Sequence, residues 1–233
     1  MGITLIDKHL KSADYVFSYG GKITDIARKD AGIHEERILE IPGGVGEEWF
    51  GSLPSRVHGP RRFLFLGRYE RRKGIQELHE AIDQNPRWAD GAEFVFVGPI
   101  PEEVRLRLPH VEYVGGISDS NRIQDLLRSA DVLVCPSHSE GMPNSILEGM
   151  ASGLAVIATD VGAVRLMVSE RNGVLLERVS VEGVAGAIEK LIHADESELL
   201  QMRKESFAKS REFSWERIAE TTIRRIQGVL KSQ

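Results

Sequence analysis

Two glutamates and two cations are the residues of this sequence best placed to do chemistry. Glu140 and Glu148 lie in SHSEGMPNSILEGMASG (137–153), directly after the apolar run DVLVCPS (131–137). Pro143 suits the first turn of a helix, where a missing N–H costs nothing. A helix starting there leaves the N–H groups of Asn144 to Ile146 unpaired at the positive end of its dipole, a ready anion site. A carboxylate beside a bound phosphate repels it unless it contacts something else. Sugar hydroxyls are the natural partners, because carboxylates accept hydrogen bonds from paired –OH groups. Taken alone, Glu148 also reads as an exposed helix residue and Glu140 as a loop charge.

The cations lie in GRYERRKG (67–74), a turn after the run FLFLG (63–67). Gly67 lets the chain turn sharply there, so that Arg68 and Lys73 point up from the C-terminal edge of a sheet. Ligands of open α/β folds bind at that edge. Arg as a fork and Lys as a point charge suit a diphosphate. The segment also reads as a solvated basic turn, since Arg71 and Arg72 crowd it. His138, beside Glu140, reads as a loop spacer rather than a base. Asp160 ends a strand at the same edge and either faces the site or caps a turn. Asp14 and Asp131 each follow Ser-Ala and read as turn residues. His58, His79, His110 and His193 show no metal-ligand spacing, and Cys135 reads as a core residue.

Positioning these groups needs a scaffold, and the rest of the chain supplies one. Strand-length apolar runs lie at 63–67, 93–98, 111–115, 131–137, 154–159 and 173–177. They are apolar on both faces, as strands buried in a parallel sheet are. Helical patterns at 74–84, 120–130 and 143–152 alternate with them. The alternation predicts an α/β fold, a doubly wound parallel sheet of Rossmann-like type. Two helical segments, 181–194 and 196–230, close the chain. The last carries the stripe Trp215, Ile218, Ala219, Thr222, Ile223, Ile226, which predicts docking. Ahead of the sheet, 12–18 reads as a strand, 21–32 as a helix capped by Gly32, and 37–44 as a strand and Pro-Gly loop. This βαβ unit lacks neighbours to complete a sheet.

Composition narrows the function classes. With 233 residues there is room for one domain and part of another. The formal net charge of −5 argues against a nucleic-acid partner. One cysteine rules out an internal disulfide framework and suits a reducing compartment. The start, MGITLIDKHLKSAD, lacks a basic n-region and a long apolar run. No run approaches the ~20 apolar residues needed to span a bilayer. The expectation is a cytoplasmic chain, with peripheral contact at the inner membrane surface allowed.

Residues 60–215 resemble the C-terminal donor-binding domain of family 4 glycosyltransferases, which have the two-domain GT-B fold. The resemblance rests on FLGRYERRKG, SADVLVCPSHSEGMPNSILEGMASGLAVIATDVG, NGVLL and FSWERIA, in that order. It implies a retaining hexosyltransferase using a UDP- or GDP-sugar as substrate, with no cofactor and no metal. Arg68 and Lys73 then bind the pyrophosphate and stabilise the departing diphosphate, and Glu148 holds the ribose hydroxyls. Glu140 lies near the transferred sugar. Gly141, Met142, Pro143 and Asn144 contact sugar and phosphate, and the loops at Gly67, Gly98 and Ile117 flank phosphate and base.

The resemblance also divides the chain. Residues 1–45 look like a remnant of the N-terminal acceptor domain and its crossover, 46–62 a linker, 63–212 the donor-binding domain, and 213–233 a C-terminal crossing helix. A missing N-terminal domain or a separate acceptor subunit is the implied partner, besides the nucleotide-sugar. Donor binding with little transfer by the chain alone is the expectation. A non-catalytic nucleotide-sugar-binding module is the alternative. The chain departs from the family at TDVGAVRLM, where Ala163, Arg165 and Leu166 replace Gly, Pro and Glu. It departs also at Pro42-Gly43-Gly44-Val45-Gly46, against Pro-Asn-Gly-Val-Asp, and at Ala155, where Pro is common.

Overall fold

Six apolar runs pair into one all-parallel sheet in a computed structural model, which describes residue 10, residues 12–52 and residues 59–231. Its strands are β3 (Arg61–Leu66), β4 (Ala92–Val97), β5 (Val111–Gly115), β6 (Val132–Cys135), β7 (Ala155–Thr159) and β8 (Gly173–Leu176), in the order β5-β4-β3-β6-β7-β8. The helices are α1 (Lys22–Lys29), α2 (Ile75–Asp83), α3 (Ser120–Arg128), α4 (Asn144–Ala151), α5 (Val164–Met167), α6 (Val181–His193), α7 (Glu196–Ser210) and α8 (Trp215–Lys231). No helix among the described residues is long and apolar enough to cross a membrane. His58 and residues 53–58 of the predicted linker lie outside the described residues, as do residues 1–9 and 11 of the N-terminal stretch.

Strand alternation explains why the runs are apolar on both faces. Leu64, Val95, Leu133 and Val156 feed one core, which α3 and α4 cover with Leu127, Ile146, Leu147 and Met150. Phe63, Phe65, Phe94 and Phe96 feed the other, which α2 and α6 cover with Ile75, Leu78, Ile82 and Ile188. The strand neighbours Phe63 and Phe94 stack with centroids 5.2 Å apart, and Phe96 stacks on Tyr113 at 4.9 Å. The order of the sheet follows from the chain path. It runs outward from β3 to β5, then returns to lay β6 on the other side of β3. That reversal puts a crevice between the C-terminal ends of β3 and β6, where open α/β sheets bind ligands.

The N-terminal unit pairs β1 (Val16–Ser18) with β2 (Ile38–Glu40), a parallel sheet of two strands among the described residues. Its helix α1 ends sooner than predicted, with Gly32 in the left-handed region two residues beyond the Asp30 cap. Backbone bonds hold the unit to the large sheet: Lys22 N donates to Gly162 O at 2.9 Å and Val45 N to Phe213 O at 2.8 Å.

Two expectations need correction here. Of the stripe on α8 only Ile218 is buried; Ile223 and Ile226 stay exposed, and so does Trp215, although its ring lies against Gly44. Trp215 and Ile223 line a groove of about 670 Å³ with Phe17, Tyr19 and Met142. Asp131 is no turn residue. Its carboxylate accepts from Arg203 Nη1 at 2.6 Å and from Arg62 N at 3.0 Å. Arg203, on α7, also donates Nε to Gly153 O at 2.8 Å. This buried ion pair fastens α7 to the start of β6.

His79 is a core residue with a pH signature. Leu106 N donates to Tyr113 Oη at 2.9 Å, so the hydroxyl is free to donate to His79 Nε2 at 3.1 Å. Burial pushes the His79 pKa down to about 4, so the folded ring stays neutral. The unfolded ring protonates near pH 6.5. Stability from this residue is therefore complete above that pH and drains as pH falls towards 4. Between pH 7 and 4.5 the loss is about 2–3 kcal/mol by proton linkage. Urea melts at the two pH values should show it, and His79→Gln should flatten the difference.

Candidate functional site

The crevice at the β3–β6 switch point is walled by the two loops that carry the candidate residues. After β3, residues 67–74 turn back through a short 3₁₀ turn (Arg71–Lys73). Gly74, not Gly67, takes the left-handed conformation, with φ 65°. A Cβ there would stand 1.8 Å from Pro136 O, so this glycine lets the first loop touch the second. Gly67 has no positive φ; its N–H donates to Val97 O at 2.9 Å, continuing the sheet. Gly98 closes the same edge from β4. At φ 146° its backbone lies against Gly67 O, and its N–H donates to Gly115 O at 2.9 Å, beside the loop that holds half-buried Ile117.

Helix α4 starts one residue later than expected. Pro143 is its N-cap, extended at ψ 118°, and Asn144 is the first helical residue. Ile146 N is used, donating to Pro143 O at 3.1 Å. Asn144 and Ser145 are left as the first-turn donors with no partner among the described residues. Met142 is buried; its Sδ accepts from Gly43 N at 3.1 Å, so it ties the site to the N-terminal unit. Gly141 O accepts from Ala163 N at 2.8 Å, which brings the TDVGAVRLM segment against the loop.

Glu140 is the hub. Its Oε1 accepts from Lys73 Nζ at 2.7 Å and Ser137 Oγ at 2.8 Å, and its Oε2 from Arg72 Nη1 at 3.1 Å. Lys73 and Glu140 therefore meet, as expected of residues in one site. Arg68 stands apart from them, 77% exposed on its side chain, with Glu70 at 3.8 Å as its ion-pair partner among the described residues. Glu148 is half-buried on α4, and its side chain makes no hydrogen bond or ion pair among the described residues. Burial pushes its pKa up to about 7. A half-buried carboxylate with no protein partner is poised to accept from hydroxyl donors.

Sequence reasoning missed a second cluster behind the first. Arg71 Nη1 donates to Glu77 Oε1, and His138 Nε2 lies 2.8 Å from Arg71 Nη1 and 3.0 Å from Glu77 Oε1. With Nε2 protonated the ring donates to Glu77; with Nε2 bare it accepts from Arg71. Burial alone would raise the Glu77 pKa, but the Arg71 guanidinium and the His138 ring outweigh it and hold it below the usual range. His138 N also donates to Arg72 O at 2.8 Å. His138 is thus a joint between the two loops, not a spacer. The only signal for it in the sequence was the basic crowding at Arg71 and Arg72.

Asp160 does face this edge. Lys22 Nζ reaches its Oδ2 at 3.0 Å, and Arg165 reaches the same oxygen. Burial raises its pKa, yet Arg165 and Lys22 together carry it below the usual range. The departures at Arg165 and Leu166 thus fall where the large sheet meets the N-terminal unit, since Leu166 packs at Gly20.

Known proteins share this scaffold. The pattern of the family described as glycosyl transferases group 1 matches residues 60–194. A Bacillus subtilis protein named as a teichuronic acid biosynthesis glycosyltransferase, TuaC, is 33% identical over 193 residues, covering 78% of this chain and 48% of its own. A Mycobacterium leprae phosphatidyl-myo-inositol mannosyltransferase is 29% identical over 83% of this chain and 54% of its own. The chain spans about half the length of these curated relatives. Among solved structures, a sucrose-phosphate synthase from Thermosynechococcus elongatus superposes with a TM-score of 0.80 at 23% identity, over 99% of this chain and 62% of its own. That likeness extends the fold match to the N-terminal unit.

Proposed function

The chain belongs to the group 1 glycosyl transferases, and from that premise we propose that it is the donor-binding half of a retaining enzyme that moves a hexose from a UDP- or GDP-sugar to an acceptor hydroxyl. One observation carries the reading. Lys73, Glu140, the unpaired Asn144 and Ser145 N–H groups and the unpartnered Glu148 all belong to the loops and helix of a single switch-point crevice.

The division of labour follows from charge. In transfer the bond from the anomeric carbon to the diphosphate oxygen breaks, the acceptor oxygen bonds to that carbon, and its proton goes to the departing diphosphate. Negative charge grows on the diphosphate, where Lys73 and the helix N–H groups lie fixed in advance. Arg68, being exposed, swings onto the phosphates when they arrive. Glu148 takes the ribose hydroxyls. Glu140, anchored by Lys73, Arg72 and Ser137, orients the hexose. None of these groups calls for a metal or cofactor in this reading.

A thermal-shift screen of UDP-, GDP- and ADP-sugars tests it, since a ligand of the native state raises stability by about 2.7 kcal/mol at a hundred times Kd. A rise with a UDP- or GDP-sugar is expected; no rise with any of them at millimolar concentration, in a folded sample, contradicts the reading. The Glu148 carboxylate adds a pH test. Its protonated form accepts hydroxyls poorly. With a pKa of about 7, affinity for UDP or GDP should rise about tenfold from pH 6 to pH 8 by the linkage of ionisation to binding. Glu148→Gln, titrated alongside, reports the ligand phosphate's own ionisation and should show a much smaller change.

A further inference from the structure

Glu140 also borders a second cavity, of about 480 Å³, for which the donor reading has no use. Its walls are the start of α1 on one side and the segments after β7 and β8 on the other. Two lining residues, Thr159 and Asp160, are 1% and 4% exposed, and Thr159 Oγ1 and Asp160 Oδ1 are buried with no hydrogen-bond partner among the described residues. Buried polar atoms are nearly always paired, and an unpaired one is costly. Two such atoms belong to residues that line one cavity, so unspent polar capacity gathers at its edge. Lys22 and Arg165 grip the other oxygen of Asp160, so the carboxylate is held in place while Oδ1 stays unused.

The rest of the lining narrows the ligand. Glu140, Asp160 and Glu177 offer acceptor oxygens; Lys22 and Arg178 offer donors. Arg178 makes no ion pair among the described residues. Ile23, Ile26 and Val179 add aliphatic surface. Interleaved acceptors, donors and aliphatic patches suit a ring with hydroxyls on its edge and C–H groups on its faces. A phosphate would meet three carboxylates, and a hydrocarbon chain would bury polar walls unpaired. The volume falls within the roughly 300–1,000 Å³ of small-molecule sites.

We propose that this cavity binds a sugar ring of the acceptor, seated against Thr159, Asp160 and Glu177 with one hydroxyl beside Glu140. The role as acceptor site rests on the donor reading above; the affinity for a sugar ring does not. The acceptor is accordingly a carbohydrate, and the glutamate that orients the donor hexose is shared between two adjoining rings.

Saturation-transfer NMR on the full chain tests this with the methyl glycosides of glucose, mannose, galactose and N-acetylglucosamine at millimolar concentration, with and without excess UDP or GDP. At least one glycoside should receive saturation and keep it when nucleotide is added. Glu177→Gln and Arg178→Met should weaken its binding at least tenfold; both residues are exposed, so the melting temperature should hold. No saturation in any glycoside overturns the proposal. So does a signal that both variants leave unchanged, or one that nucleotide abolishes, which would place the ring in the donor site. Calorimetry with UDP and GDP on the same samples separates the two readings. Glycoside binding without nucleotide affinity refutes the donor site and keeps the sugar pocket; the reverse pattern does the opposite.

Discussion

Lys73→Ala should weaken UDP or GDP binding by roughly 10- to 100-fold, the cost of about 1.5–3 kcal/mol for a lost charge-assisted hydrogen bond. Two consequences of one substitution make the effect large. The diphosphate loses its point charge, and Glu140 loses the cation 2.7 Å from its Oε1. The carboxylate, left with Arg72 as its remaining cation, adds repulsion to the phosphate. Double substitution separates the two. If Glu140 repels once Lys73 is gone, Lys73→Ala with Glu140→Gln should bind nucleotide better than Lys73→Ala alone. Arg87→Ala, which removes only an exposed pair with Glu189, should leave affinity unchanged. Calorimetric titrations of the four proteins read this directly.

Asp131→Ala should destabilise the fold by about 3–5 kcal/mol, the usual result of stranding one charge of a buried pair. Arg203 lies 7% exposed on α7, and without Asp131 its guanidinium loses the carboxylate 2.6 Å from its Nη1. Burial already holds the Arg203 pKa below its ordinary value, with Asp131 opposing that fall. Replacing both, Asp131→Leu with Arg203→Met, should recover much of the loss, because two apolar groups leave no charge uncompensated. Urea unfolding of the single and double variants measures it, and equal stability of Asp131→Ala and the native chain would refute the role given to the pair.

Asp131 also shows where reading the sequence stops. Its partner is on a helix near the far end of the chain, and no local period reports a contact over that distance. The Arg71–Glu77–His138 cluster was hidden for the same reason. Strands, in contrast, were legible, because a parallel sheet buried on both faces writes itself as short apolar runs such as FLFL and VFV. The site was legible where backbone chemistry restricts residue type. Pro143 marked the start of α4 and missed by one position, since its fixed φ serves the cap as well as the first turn. The bend at Gly67 was read, while the left-handed residue of the segment is Gly74, because both glycines flank the same basic segment and only geometry distinguishes them. The stripe on α8 was periodic enough to predict docking, yet period alone does not say what covers it.

The central claim is that the β3–β6 crevice binds a nucleoside diphosphate with Glu148 on the ribose. Isothermal titration of UDP and GDP into the native chain and into Glu148→Ala, at pH 8 where the carboxylate is ionised, tests it most directly. The account requires single-site binding of at least one of the two nucleotides to the native chain, weakened tenfold or more by Glu148→Ala at an unchanged melting temperature. Absence of affinity for both at millimolar concentration, or equal affinity in the native chain and the variant, would contradict it.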